Sequence, residues 1–493
     1  MWPLMGSENT PELWQLQLGG NEEQNDVTTP LLSSIPLTPP TAKAPRLLSL
    51  DLMRGSIMII MAWDHCMDII GDGNLPKDEG HELWSGPFAT YDDSFLLFFA
   101  RWVSHFCAPG FFWSMGVSMA LFTMSRIDRQ AWTAGQIRWH YFIRGCVLLL
   151  MDRIVGPPFF LPSIIDQAEG RTDDEAGRLW RKALVGHFEV CTGLGLVMTT
   201  VGLLMPLLHA WHRRQLSPAP DHREAWWNAR VGPVAAALLA AAAFGASNAA
   251  IVAAQGPYGD VGAGGGFPRY NASAVGFGEV VERFIIFPAF GHTFNVLYPL
   301  IPWVGVTLLG VSQGFEFRTD PEAAHWRAGL LGCVFLVAFN LVRGFGGPFG
   351  NLRGWPRGDG DGVGGQPHVS SLIEWFSVCK YPPSLAFALL TVGANMVALR
   401  LFHALQSRVG GEWLERWLAP WLVFGRAPLF FYMLHFWLYC IVAMGMHAAG
   451  SEGVPLPWCL PFWFTALVLL FFVVRPYGAF KARQHPDSLW RLL

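Results

Sequence analysis

The segment from Leu50 to Ile70 is long and apolar enough to cross a membrane, yet it carries Asp51, Arg54, Asp64, His65 and Asp68. A charged group at the centre of a bilayer costs about 2.5–3.5 kcal/mol on insertion scales, so such residues face a protein or water interior. At about 100° per residue, the eleven steps from Arg54 to His65 bring both onto one helix face, within roughly 20°. Met58 and Met61 lie between them, and Asp51 and Asp68 flank the same stripe. The segment reads as a helix with one ionisable face, about 16 Å from arginine to histidine at about 1.5 Å rise per residue.

Further apolar segments follow. Charged residues make up 14% of the 493, against about 25% in soluble domains. A helical span needs about 20 mainly apolar residues. Candidates lie near 50–70, 95–124, 138–156, 184–208, 231–254, 292–312, 326–343, 383–404, 420–446 and 457–475. The expected fold is an all-α, polytopic transmembrane helical bundle of about ten spans. The 23 Trp and 37 Phe fit this class, since Trp also gathers at membrane interfaces. No internal repeat is visible, so nothing in the sequence supports an inverted-repeat transporter. A net charge of −3 gives no reason to expect nucleic acid as a partner. The eight cysteines form no Cys-x-x-Cys pair and sit in or beside apolar runs, as buried small hydrophobes do. No helix shows His-x-x-x-His or Glu-x-x-His spacing among the intramembrane histidines, so no metal is expected.

Residues 1–45 are rich in Pro, Thr, Ser and acidic side chains and are expected to be a disordered cytosolic tail before a membrane domain over 46–493. Asp26-Val27-Thr28-Thr29-Pro30-Leu31-Leu32 falls one residue out of register with an acidic dileucine sorting signal. No basic start followed by an apolar run opens the chain, so no secretory signal is expected. Gly262 to Gly266 follow no strand, which reads as a flexible loop rather than a dinucleotide fingerprint.

Lys and Arg set the orientation. The positive residues favour both termini inside, although Arg171, Arg178, Arg181 and Lys182 crowd an outer loop. Asn271-Ala272-Ser273, a glycosylation sequon, then falls outside. In this frame His65, His105 and His435 lie from mid-membrane toward the outside, with His187, Glu189, His292 and Asn295 at outer helix starts. Arg54, Arg144 and Arg426 fall in the inner third.

Histidine suits proton transfer near neutral pH, and a guanidinium grips phosphates in a bidentate fashion. Phosphates entering from the cytosol, and a histidine nearer the outer face, suit acyl transfer from acyl-coenzyme A across the membrane. Plainer readings stand beside each residue. A lone intramembrane His is as often a helix–helix hydrogen-bonding group. Arg54 can pair with Asp51, Arg101 can be an interface anchor, and Asp152-Arg153 can be a local ion pair.

Five ordered blocks carry a family resemblance. They are Arg46–Gly55, Phe99-Ala100-Arg101-Trp102-Val103-Ser104-His105 continuing to Gly110, Leu297-Tyr298-Pro299 continuing to Val306, Lys380-Tyr381-Pro382-Pro383-Ser384-Leu385, and Phe424-Gly425-Arg426 continuing to His435. Together they resemble the heparan-alpha-glucosaminide N-acetyltransferase catalytic-domain family, in its branch of mostly uncharacterised membrane proteins. The lysosomal enzyme of that family moves acetyl from cytosolic acetyl-coenzyme A to a terminal glucosamine on the lumenal side. Its catalytic histidine lies in the outer loop after the first core helix, where this chain has only His81, and it has an asparagine at the place of His65. The spacing of Arg54, Gly55 and His65 is also similar to the membrane acyltransferase-3 family, whose first-helix histidine is taken as catalytic.

The expectation is an integral-membrane acyltransferase using acetyl-coenzyme A or another acyl-coenzyme A. Arg54, Arg144 and Arg426 would hold its phosphates. His65 would act as general base or transient acyl carrier, oriented by Asp64 or Asp68, with His105 or His435 assisting. The acceptor would be an amine or hydroxyl, a sugar among the candidates, at the outer or lumenal side. A proton-coupled transporter using the same Asp and His residues is the rival reading. Organelle, acceptor and homo-oligomer formation stay open.

Overall fold

The computed structural model describes residues 47–72, 75, 82, 91, 94–170, 180–213, 231–255, 277–290, 295–345, 372–484, 488 and 490. The expected tail over 1–45, His81, Asn271 and His292 lie outside them, as do Arg171 and Arg178.

The described chain is a helical bundle. The first helix, α1 (Leu48–Ile70), places Asp51 in its first turn, where a carboxylate complements the helix dipole. Its C-terminal end is fixed by Val454: the Asp72 N–H donates to Val454 O at 2.9 Å, and the Val454 N–H to Ile70 O at 3.1 Å. Next come α2 (Phe95–Trp102) and α3 (Cys107–Gln130), joined by a 3₁₀ turn at Val103–Phe106. Side chains reinforce that tightened turn. Ser104 Oγ donates to Arg101 O at 2.8 Å and His105 Nδ1 to Trp102 O at 2.9 Å.

A long helix α4 (Ala134–Gly170) precedes a π-helical turn at Lys182–Gly186 and the strand β1 (His187–Phe188). Then follow α5 (Val190–Arg213), α6 (Val231–Gln255), α7 (Phe277–Ile285), β2 (Ala289–Phe290) and β3 (Asn295–Val296). The β1 strand pairs parallel with β3, setting His187 opposite Asn295, and β2 pairs antiparallel with β3. The remaining helices are α8 (Leu300–Thr319), α9 (Pro321–Phe345), α10 (Leu372–Phe376), α11 (Leu385–Val409), α12 (Gly411–Trp417), α13 (Ala419–Arg426), α14 (Pro428–Ala448) and α15 (Leu456–Arg483).

Eight of the described helices are long and apolar enough to cross a membrane: Phe95–Gln130, Val190–Arg213, Gly232–Ala253, Leu300–Thr319, Pro321–Phe345, Leu385–Val409, Pro428–Ala448 and Leu456–Arg483. The chain is a multi-pass membrane protein on this basis. The helices α1 and α4, which match the other two expected spans, carry Arg54 and Arg144 and are not among the eight. Three expected boundaries move. The segments 184–208 and 292–312 each contain a short strand, His187–Phe188 and Asn295–Val296, before the helix starts at Val190 and Leu300. The segment 420–446 breaks at Ala427, because Pro428 disfavours helical backbone in the residue before it.

Helix α1 packs against α3, α11, α13, α14 and α15. Its approach to α13 depends on two glycines. A Cβ on Gly55 would stand 2.0 Å from Trp421 O, and one on Gly425 would stand 1.9 Å from Asp51 O. Small residues let membrane helices approach this closely. The contact brings Arg426 to Asp51, with Nε 3.4 Å from Oδ2.

Candidate active site

A cavity of about 300 Å³ lies among α1, α2, α3, α4, α14 and the short sheet. Asp64, His65, Asp68, Arg101, Asp152, His187, Glu189, Asn295, Tyr298, Lys380, Tyr381 and Tyr432 all reach it. The π-helical turn, β1 and β3 each bring a residue to it: Lys182, His187 and Asn295.

His65 meets His435, its Nδ1 2.7 Å from Nε2. His435 is fully buried and its Nδ1 donates to the carbonyl of Phe431 at 3.0 Å. With both rings neutral, these contacts allow one arrangement of protons. A carbonyl only accepts, so His435 carries its hydrogen on Nδ1 and accepts at Nε2. His65 must then donate from Nδ1, which leaves a lone pair on its Nε2. That nitrogen has no hydrogen-bond partner among the described residues. The two ring planes lie within 7° of each other, and Phe436 sits edge-on to His65 with ring centroids 5.3 Å apart.

The expected orienting role of Asp64 differs from what the fold shows. Asp64 accepts from Arg101 Nη1 at 2.8 Å, and no hydrogen bond joins it to His65. Asp68 reaches the cavity, but the ring that orients His65 is His435. Arg101 itself is no interface anchor. It is 4% exposed, and its Nε also donates to Glu82 Oε1 at 2.7 Å. Lys380 Nζ stands 3.3 Å from Glu82 Oε2. Burial raises the Glu82 carboxyl, but Arg101, Lys380 and His105 outweigh it and hold it far below the usual carboxylate range. The cluster of Asp64, Glu82, Arg101 and Lys380 balances two negative charges against two positive ones, as buried ions require. His105 belongs to this cluster, 3.6 Å from Glu82 Oε1, rather than to the pair His65–His435.

Across the cavity, His187 Nε2 lies 3.1 Å from Glu189 Oε1. Asp152 and Arg153 do not pair with each other there. Asp152 Oδ2 accepts the backbone N–H groups of Glu189 and Thr192, each at 2.9 Å, and so serves the start of α5. Arg153 donates to Leu184 O at 3.1 Å and to His187 O.

The arginines expected to hold phosphate lie apart from this cavity. Arg54 donates to Ser114 O at 2.8 Å and to Ser118 Oγ, not to Asp51. Arg426 takes Asp51 and also Glu415, at 2.9 Å. Arg144 lies within electrostatic range of Arg54. The three arginines and Asp51 therefore form one group, about three helical turns from His65 along α1 at about 5.4 Å per turn.

Glu82, Lys380, Tyr298, Tyr381 and Tyr432 were missed as site residues by pattern reading. Glu82 stands in a loop without periodicity, and its partners are distant in sequence. The one available signal was block membership: Arg101, Tyr298, Lys380, Tyr381, Tyr432 and His435 all come from the blocks that carry the family resemblance. No protein-family model matches the chain, and no curated protein matches it, so that resemblance rests on the blocks alone.

Proposed function

We propose that this protein is a membrane acyltransferase that uses acyl-coenzyme A and transfers the acyl group to an amine or hydroxyl at the outer side, both termini being cytosolic. The observation that carries the reading is the lone pair of His65 Nε2 at a cavity of about 300 Å³. A base in that state takes the proton of the acceptor as its nitrogen or oxygen attacks the thioester carbonyl. The bond between acceptor and carbonyl carbon forms, the C–S bond breaks, and coenzyme A leaves. Arg54, Arg144 and Arg426 would receive the phosphates of the coenzyme, which arrive from the cytosol, as guanidinium groups do. The acceptor class includes sugars, by resemblance to the glucosaminide-acetylating family.

The test is binding of acetyl-coenzyme A to purified protein, followed by release of free thiol on adding glucosamine. Binding with thiol release supports the reading; neither binding nor release with any acyl donor removes it.

A second reading has its own observation. Asp64, Asp68, Asp152 and Glu189 share the cavity with His65, and such groups inside a membrane also form proton relays. Substrate-driven proton flux in sealed vesicles, without thiol release, would favour a proton-coupled transporter.

A further inference from the structure

Three tyrosines line the cavity, and the fold treats their hydroxyls differently. Tyr298 and Tyr381 pair with each other, their oxygens 3.3 Å apart. The Tyr432 hydroxyl has no hydrogen-bond partner among the described residues. Its oxygen is also not sealed in the packing, as that of Tyr439 one turn further along α14 is. Tyr432 is 6% exposed, and its oxygen is within electrostatic range of Asp152, Glu189 and Tyr298, which line the same cavity. That hydroxyl therefore opens on the cavity. Enclosing a hydroxyl without a partner costs free energy, which an acceptor on a bound ligand offsets.

Helix α14 presents this residue beside the base. Tyr432 precedes His435 by one helical turn, and its ring stands edge-on to His65 with centroids 6.2 Å apart. Phe436 packs against both, its centroid 5.3 Å from His65 and 6.2 Å from Tyr432. One face of α14 thus sets the tautomer of His65 through His435 and supplies a hydroxyl one turn away. A phenol keeps its hydrogen at neutral pH and donates it, whereas His65 Nε2 accepts. Two other donors at the cavity are committed: Ser104 Oγ to Arg101 O, and Lys380 Nζ to Glu82. A base for the proton of the nucleophile and a donor for the oxygen where charge develops are the two parts that acyl transfer calls for.

We propose that the Tyr432 hydroxyl is the hydrogen-bond donor to the thioester oxygen as that oxygen becomes negative. This rests on the acyltransferase reading above. The acceptor nitrogen or oxygen attacks the carbonyl carbon and gives its proton to His65 Nε2. The π pair of the C=O bond moves onto oxygen, where the Tyr432 O–H holds it; the phenol keeps its proton throughout. As the intermediate collapses, the C=O bond re-forms and the C–S bond breaks with its electron pair going to sulfur. The proton on His65 then passes to the thiolate of coenzyme A, which restores the neutral ring. Tyr432 acts on the reacting atoms; His435 is a positioning residue for His65.

The experiment compares two acyl donors in the full-length purified protein, with glucosamine as acceptor and free thiol as readout, on equal amounts of folded protein. Tyr432→Phe removes one oxygen and keeps the ring against His65 and Phe436. Its kcat with acetyl-coenzyme A should fall by about 10²–10³-fold, the effect of losing one oxyanion donor, with KM for both substrates nearly unchanged. The second donor is dithioacetyl-coenzyme A, in which sulfur replaces the carbonyl oxygen. Sulfur is a weak acceptor, so the rate ratio of the oxygen donor to the sulfur donor should be smaller in Tyr432→Phe than in wild type by about tenfold or more. The intrinsic reactivity of the two donors cancels in that comparison. A normal kcat in Tyr432→Phe overturns the inference. So does an equal loss with both donors, which a packing role would produce, and so does a raised KM for glucosamine at unchanged kcat, which a role in holding the acceptor would produce. Absence of thiol release from wild type with acetyl-coenzyme A removes the acyltransferase reading itself, which is a different outcome from an active enzyme indifferent to the hydroxyl of residue 432.

Discussion

His65 Nδ1 stands 2.7 Å from His435 Nε2, and the Phe431 carbonyl behind His435 fixes which nitrogen of each ring carries hydrogen. The pair works as an orienting couple, with an imidazole where a carboxylate more often stands. An imidazole lacks the negative charge that would stabilise an imidazolium on His65, so it sets the tautomer more than the basicity.

This relationship makes a graded prediction. His65→Ala should lower acyl transfer by about 10²–10⁴-fold, the contribution of a general base, while coenzyme binding survives. His65→Asn should be as poor, since it offers no basic nitrogen. His435→Gln keeps an acceptor for His65 Nδ1 and should retain more activity than His435→Phe, which has none. Steady-state rates on equal amounts of folded protein decide it; near-normal transfer by His65→Asn would make His65 a packing residue.

The arginine group should act on affinity. Arg54→Ala and Arg426→Ala should each weaken coenzyme A binding by roughly tenfold or more, since a charge-assisted contact is worth about 1.5–3 kcal/mol. The rate at saturating coenzyme should change less. Calorimetric titration measures it, and unchanged affinity in both folded variants would leave these arginines with only their contacts to Ser114, Ser118, Asp51 and Glu415.

Glu82 predicts a dependence of stability on pH. Its folded carboxyl titrates far below the usual range because Arg101, Lys380 and His105 overcome its burial. A depressed carboxyl adds stability above its unfolded value, and that stability is lost as pH falls toward the folded one. Glu82→Gln should therefore unfold at a lower temperature than wild type at neutral pH. The gap should be constant down to about pH 5 and narrow below about pH 4, around the unperturbed carboxylate value. Thermal unfolding in detergent across that range tests the sign; a gap that widens on acidification contradicts it.

Topology gives a fourth expectation. The loop 447–456 contains no Lys or Arg, so it should face the outside. A cysteine engineered there should react with an impermeant reagent in intact membranes. Reaction only after permeabilisation would reverse the proposed entry sides for coenzyme and acceptor.

Much of the bundle was legible from local pattern, because hydrophobic length and helical period act within one segment. Each expected span is helical, although 95–124 and 420–446 are each built from two helices, and the charged residues of α1 meet several different neighbours. The break at Ala427 was also readable in principle, since it follows from Pro428 alone. What the sequence could not assign was partnership. His435 lies 370 residues from His65, and either Asp64 or Asp68 was the nearer candidate along the chain. Arg101 near a helix end looks the same whether it meets headgroups or is enclosed by Asp64 and Glu82. Glu82 and the two-residue strands carry no periodic signal at all. The glycines Gly55 and Gly425 were visible as residues, but that each meets the other helix's backbone depends on how α1 and α13 cross. Periodicity is a property of one helix, whereas the proton arrangement of His65 and the charge balance around Arg101 are decided only where several helices close on one cavity.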